Sequence, residues 1–168
     1  MMDDLVDNRV KQGTHIPVLV SVFEKTEGDV LELGSGFFST QILRWLCQMA
    51  GRKLISYESS NFWHMKVTRN PVPFHTVIKV EKSWDEAEIE KHWGMVLVDH
   101  SPDERRWREI ERLANYAEYI IIHDSNLSEF KHYGYEKIWR LFKYRYDYKK
   151  LNPNTTIVSN FHDLSEFK

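Results

Sequence analysis

The sequence is poor in cysteine, proline and glycine and carries almost no net charge. Its single cysteine, Cys47, can form neither an internal disulfide nor a cysteine zinc cluster, so nothing demands an oxidising compartment and the residue reads as a buried helix position. Five prolines and seven glycines in 168 residues make no linker, and most of the glycines fall at element edges. With Lys+Arg of 23 against Asp+Glu of 25, the formal net charge of -2 excludes a domain that binds nucleic acid over its whole surface. Long hydrophobic runs are missing too. The stretches around Ile16 to Phe23 and Tyr119 to Ile122 fall far short of a membrane span, and the acidic Met-Met-Asp-Asp-Leu start has no apolar core segment. No membrane association is expected, and the expected location is the cytoplasm. What the chain does have is 42% apolar and 14% aromatic residues, enough for a globular core.

Strand-length apolar runs recur at Val30 to Leu33, Leu54 to Tyr57, Thr76 to Val80, Met95 to Val98 and Tyr119 to Ile122, separated by helix-length mixed segments. This alternation predicts βα units around a parallel sheet. Consecutive apolar positions in Val96-Leu97-Val98 and Ile120-Ile121-Ile122 predict central strands covered on both faces. Helical stripes are Ile16, Leu19, Val20 and Phe23, capped by Thr14; Ile42, Leu43, Leu46 and Ala50; and Trp107, Ile110, Leu113 and Ala114, opened by a Ser101-Pro102-Asp103-Glu104 cap. Tyr135, Ile138, Trp139 and Phe142 predict one more helix. Tyr144 to Lys150 alternates with period two and leads through Asn152-Pro153-Asn154 into Thr155 to Ser159, a closing hairpin. With no internal repeat, residues 1–168 read as one domain, with residues 1–13 as a flexible leader.

The chemistry concentrates at strand ends. Asp29-Val-Leu-Glu-Leu-Gly-Ser-Gly-Phe-Phe-Ser-Thr is a strand running through Gly34 and Gly36 into a helix, a turn that permits close backbone approach and offers helix N–H groups to a nucleotide-like ligand. Glu58 follows the next strand, where an acid can accept hydrogen bonds from both ribose hydroxyls. Asp99 and Asp124 end two further strands. With Asn126 they supply hard oxygen ligands suited to Mg²⁺ or Mn²⁺; the bland alternative for both acids is turn capping. His100 and His123 flank them and are candidate general bases, or else satisfied structural histidines.

In this order Leu31-Glu32-Leu33-Gly34-Ser35-Gly36, Ser39-Thr40, Glu58, Val98-Asp99 and Ile122-His123-Asp124 resemble the class I S-adenosylmethionine-dependent methyltransferases, over nearly the whole chain from Thr14 to Phe161. The resemblance implies a Rossmann-like α/β fold: a doubly wound, mostly parallel seven-stranded sheet with a C-terminal antiparallel hairpin and helices on both faces. It implies S-adenosylmethionine as cofactor, with Glu32, Gly34, Ser35 and Gly36 beside the methionine part, Glu58 on the ribose, Ser83 and Trp84 at adenine, and Asp99 on the cofactor-facing rim. The third glycine of the family's motif is absent, because Phe37 and Phe38 follow Gly36. Asp99-His100-Ser101-Pro102 also differs from the Asn/Asp-Pro-Pro-aromatic loop of members that methylate amino nitrogens. The Asp99 and His123-Asp124 arrangement looks more like members that methylate hydroxyls of small molecules or sugars, some with a metal. Asp99, His100, His123 and Asp124 are then the catalytic candidates, and Thr14 and His15 line the acceptor pocket.

Two rivals stay open. A nicotinamide-dinucleotide protein also uses a glycine turn with a downstream acid, and Gly34-x-Gly36-x-x-Ser39 departs from its fingerprint only at the third glycine. A cofactor- or nucleic-acid-binding protein without catalysis is the other. Lys131, Lys137, Arg140, Lys143, Arg145, Lys149 and Lys150 interleave with six aromatics, although helical spacing of Tyr135, Trp139 and Phe142 favours aromatics packed inward and basic groups solvated outward.

Overall fold

The computed structural model describes residues 11–126 and 131–167. Of the leader expected to be flexible, residues 1–10 lie outside the described residues. Lys11 and Gln12 are helical, and the Gly13 carbonyl accepts a hydrogen bond from the Ile16 amide at 3.1 Å.

The elements run α1 (Ile16–Glu24), β1 (Val30–Leu33), α2 (Ser39–Ala50), β2 (Leu54–Glu58), α3 (Asn61–Thr68), β3 (His75–Lys79), β4 (Trp93–Val98), α4 (Arg106–Leu113), β5 (Ala117–Ile122), β6 (Tyr144–Tyr148) and β7 (Thr155–Ser159). They build one seven-stranded sheet in the order β3-β2-β1-β4-β5-β7-β6. Strands β1 to β5 pair in parallel, and β7 runs antiparallel between β5 and β6. The direction of winding reverses between β1 and β4, and in open α/β sheets the crevice above such a reversal receives ligands.

Alternation within the strands divides the core. Leu31, Leu33, Val96, Val98, Ile120 and Ile122 meet Ile110 and Leu113 of α4 on one face. Val30, Met95, Leu97 and Ile121 meet Leu19 and Val22 of α1 and Leu43 of α2 on the other. Each such fully buried aliphatic side chain contributes roughly 1.5–3 kcal/mol, which is why uninterrupted apolar triplets mark the central strands. Cys47 is buried in α2 as expected.

Four local expectations change. Thr14 does not cap α1; the N-cap is His15 without a side-chain bond, and Thr14 turns to His123 instead. The buried face of α2 centres on Leu43 and Cys47 with Ser39 and Thr40, and Ala50 is exposed. Ser101 makes no cap for α4: Ser101-Pro102 is a cis peptide followed by a 3-10 turn at Asp103–Arg105. Tyr135 to Phe142 is not one α-helix but two 3-10 turns, Tyr135–Lys137 and Trp139–Leu141, entered through left-handed Gly134. Buried Tyr135 donates its hydroxyl to the His123 carbonyl at 3.2 Å, a tertiary anchor that overrides local helix periodicity.

Candidate active site

Strand β1 ends in Gly34, whose φ is +89° and whose missing Cβ would lie 2.5 Å from His100 Cα and 2.6 Å from the Asp99 carbonyl. Glycine is therefore required here by the neighbouring strand end, which crosses the turn at van der Waals distance. The turn is held by acids. Glu58 accepts from the Ser35 and Ser60 amides, each at 2.6 Å, and is only 4% exposed. Thr40 accepts from the Gly36 amide at 3.0 Å and donates to the Glu32 carboxyl at 2.9 Å. Glu32, fully buried, also accepts from Ser56 at 2.6 Å; burial outweighs these bonds and pushes its pKa up to about 7.

Across the crevice, the ends of β4 and β5 bring Asp99, His123 and Asp124 together, and the turn before α1 adds His15. The buried Arg106 guanidinium bonds Asp99 (2.9 Å), Asp124 (3.3 Å) and the His100 carbonyl (2.7 Å). Asp124 takes a left-handed φ of +53°, a conformation costing about 1–2 kcal/mol that this ion pair helps hold. His123 Nδ1 lies 3.3 Å from Asp99 and Nε2 lies 3.0 Å from the Thr14 hydroxyl. Burial would lower the His123 pKa, but the Asp99 carboxylate outweighs burial and raises it. For Asp99, the His123 and Arg106 charges overcome burial and hold the carboxyl below the usual range. Burial raises Asp124 despite its cationic neighbours. His15 is lowered to about 4 by burial and then by His123, so it stays neutral.

A cavity of about 210 Å³ opens on this group, lined by Gln12, His15, Ser35, Gly36, Trp63 and Asp99 among others. A larger one, about 620 Å³, lies at the opposite end of β1 around Gly28, Met49 and Arg52. It holds no comparable chemistry, because the Arg52 guanidinium is spent on carbonyls of the loop before β1.

Comparison with known proteins places the fold. No protein-family profile and no curated protein matches the chain. Solved structures do. A Staphylococcus aureus protein assigned as a caffeoyl-CoA O-methyltransferase superimposes with a TM-score of 0.63 at 10% identity, over 84% of this chain and 82% of that one. The O-methyltransferase TomG from Streptomyces achromogenes, in complex with SAM, gives 0.59 at 11% identity over 86% and 77%. The hMettl16 catalytic domain in complex with the MAT2A 3'UTR hairpin 1 gives 0.59 at 9% identity over 89% and 69%. The fold is that of the class I methyltransferases.

Within this methyltransferase fold, Ser35, Gly36, Asp99 and His15 share the cavity, with Glu32 and Glu58 behind its glycine turn and His123 and Thr14 beside it. Other expected site residues lie apart. His100 is fully buried, stacked 3.9 Å from Trp84 and 3.2 Å from Glu109, so it cannot reach a substrate as a base. Trp84 is a core residue, 3% exposed, donating to the Ser101 carbonyl, and Ser83 caps its own turn. Nor is the expected Mg²⁺ or Mn²⁺ set assembled. The Arg106 guanidinium bridges Asp99 and Asp124 where a cation would sit, and Asn126 spends its amide on Asn152 and the Asn154 amide of the hairpin. Those three residues do not fit a metal ion.

Sequence reasoning missed Arg106. It carried a signal: Arg106, Ile110 and Leu113 follow i, i+4, i+7 spacing, which puts an arginine on the apolar stripe of α4. The Phe37 and Trp63 rings, 4.7 Å apart at the cavity rim with Lys66 over Phe37, were also unforeseen as a unit.

Proposed function

We propose that the chain is an S-adenosylmethionine-dependent methyltransferase acting on an oxygen of a small molecule or sugar. The observation that carries this is the shared cavity: the Ser35-Gly36 turn, Asp99 and His15 face one space above the reversal of the sheet, with His123 behind Asp99 and His15. When bound, S-adenosylmethionine supplies an electrophilic methyl group. Ser35, Gly36 and Glu58 form the cofactor side, with Glu32 bracing the turn through Thr40. The acceptor hydroxyl sits against His15 and Asp99, and its proton leaves to this group as the oxygen takes the methyl.

Acceptor class is supported by chemistry at the end of β4. Asp99 is bound to Arg106 and His123, and the loop continues as His100-Ser101-Pro102, without the pair of prolines and aromatic of the members that methylate amino nitrogens. The basic segment reads as surface: Tyr133 and Tyr135 are buried, Arg145 lies 3.8 Å over Trp139, and Lys137 lies 4.3 Å over Trp107. A location in the cytoplasm is part of the same proposal. Among the described residues, no helix is long and apolar enough to cross a membrane.

Calorimetry tests the cofactor. S-adenosylhomocysteine is expected to bind saturably and NAD not at all; saturable NAD binding without S-adenosylmethionine or S-adenosylhomocysteine binding would overturn the assignment.

A further inference from the structure

Three side chains with metal-ligating atoms cluster at the cavity, two lining it and His123 behind them. One ligand atom each from His15, Asp99 and His123 lies within 4.8 Å of the others. His15 is 1% exposed, and neither of its ring nitrogens has a hydrogen-bond partner. Leaving a buried imidazole unpaired is costly, so an unpartnered histidine facing a polar cavity calls for a ligand.

His123 adds the third ligand atom. Its Nε2 lies 3.0 Å from the Thr14 hydroxyl, while its buried Nδ1 makes no hydrogen bond and lies 3.3 Å from an Asp99 oxygen. Thr14 plays the part of the outer hydrogen-bond partner that commonly fixes the tautomer of a metal-bound histidine. The His15 and His123 rings meet edge-on with centroids 4.6 Å apart, which brings both imidazoles beside Asp99.

We propose that His15, Asp99 and His123 form a binding site for a divalent transition-metal ion, with its open coordination positions towards the cavity. Two imidazole nitrogens and one carboxylate select Zn²⁺, Fe²⁺ or Co²⁺ over Mg²⁺, which prefers oxygen and water. The ligand set differs from the Asp99, Asp124 and Asn126 set: the Arg106 guanidinium fills the space between the two carboxylates, and the two histidines meet Asp99 on another side. Its role, to hold the acceptor oxygen, rests on the methyltransferase proposal; ion binding does not.

The test uses the full chain stripped with chelator and titrated with Co²⁺ alone, followed by Zn²⁺ competition. One equivalent is expected to bind with visible d–d absorption that Zn²⁺ abolishes, and His15→Gln and His123→Gln should each weaken Zn²⁺ binding at least tenfold in equilibrium dialysis. His92→Gln, at an exposed position, should leave it unchanged. No stoichiometric Co²⁺ spectrum in the wild-type protein would overturn the proposal without any variant. So would Zn²⁺ affinity undiminished in the folded double variant His15→Gln/His123→Gln. Calorimetry with S-adenosylhomocysteine on the same stripped protein separates the two ideas: cofactor binding without Co²⁺ binding sinks only the metal site, and the converse sinks only the cofactor assignment.

Discussion

Arg106→Met is the perturbation that most directly probes how this site is held. The guanidinium is buried (5% exposed) and meets Asp99, Asp124 and the His100 carbonyl, with the Tyr133 ring 5.0 Å away. Methionine keeps the stem and apolar volume of the side chain but leaves two adjacent carboxylates facing each other without their cation. Removing one partner of a buried ion pair costs about 3–5 kcal/mol, chiefly because the stranded charge has lost its compensation. Part of that cost is avoidable, since Asp124 is already raised towards its neutral form and can take up a proton. The expected loss is therefore about 3 kcal/mol near neutral pH, or a Tm lower by about 6–12 °C for a chain of this length. Urea unfolding should show a lower midpoint with unchanged slope.

Adding Asp124→Asn to Arg106→Met should return roughly 1–2 kcal/mol, because the amide removes the like-charge contact without emptying the site. A loss below about 1 kcal/mol for the single variant, or a double variant less stable than the single, would refute the view that Arg106 serves to neutralise these two strand-end carboxylates.

Two further expectations concern the glycine turn and the buried chain behind it. If Glu58 holds the ribose as proposed, Glu58→Ala should weaken S-adenosylhomocysteine binding by about 1.5–3 kcal/mol in calorimetry, since the variant also loses the brace on the Ser35 amide; unchanged affinity in a folded variant would remove Glu58 from the site. Behind the turn, His75 is lowered from 6.5 to about 4 by burial and then by Arg44, so it stabilises the fold above pH 6.5 and loses this as pH falls towards 4. Glu32, raised from 4.5 to about 7, has the opposite sign: its contribution is complete below pH 4.5 and is lost as pH rises through 7. The two offset each other between pH 4.5 and 6.5. Glu32→Gln should make stability fall on acidification by on the order of 2 kcal/mol more than in the wild type over that window, as read by urea unfolding at each pH; parallel pH curves for the two proteins would count against it.

How far the sequence reaches depends on which interactions decide each feature. Strand positions β1, β2, β4 and β5 were legible because burial on both faces of a parallel sheet leaves consecutive apolar residues, and their boundaries move by at most two positions. The hairpin was legible from its alternation and turn residues. The Tyr135 to Phe142 helix was not, because a single tertiary bond from Tyr135 to the His123 carbonyl and left-handed Gly134 decide the path, and neither leaves a periodic trace. The site divides along the same line. Acids at strand ends are a local signal, so Glu58, Asp99 and Asp124 were found where the sheet places them. Which cation they meet is a long-range question, and Arg106 answered it from α4, displacing the oxygen-ligand metal set that spacing alone suggested. His15 shows the limit most plainly. It lies 108 residues from His123 in the chain, yet its ring sits 4.6 Å from that ring, and only folding α1 against the end of β5 turns a residue read as pocket lining into half of a histidine pair beside Asp99.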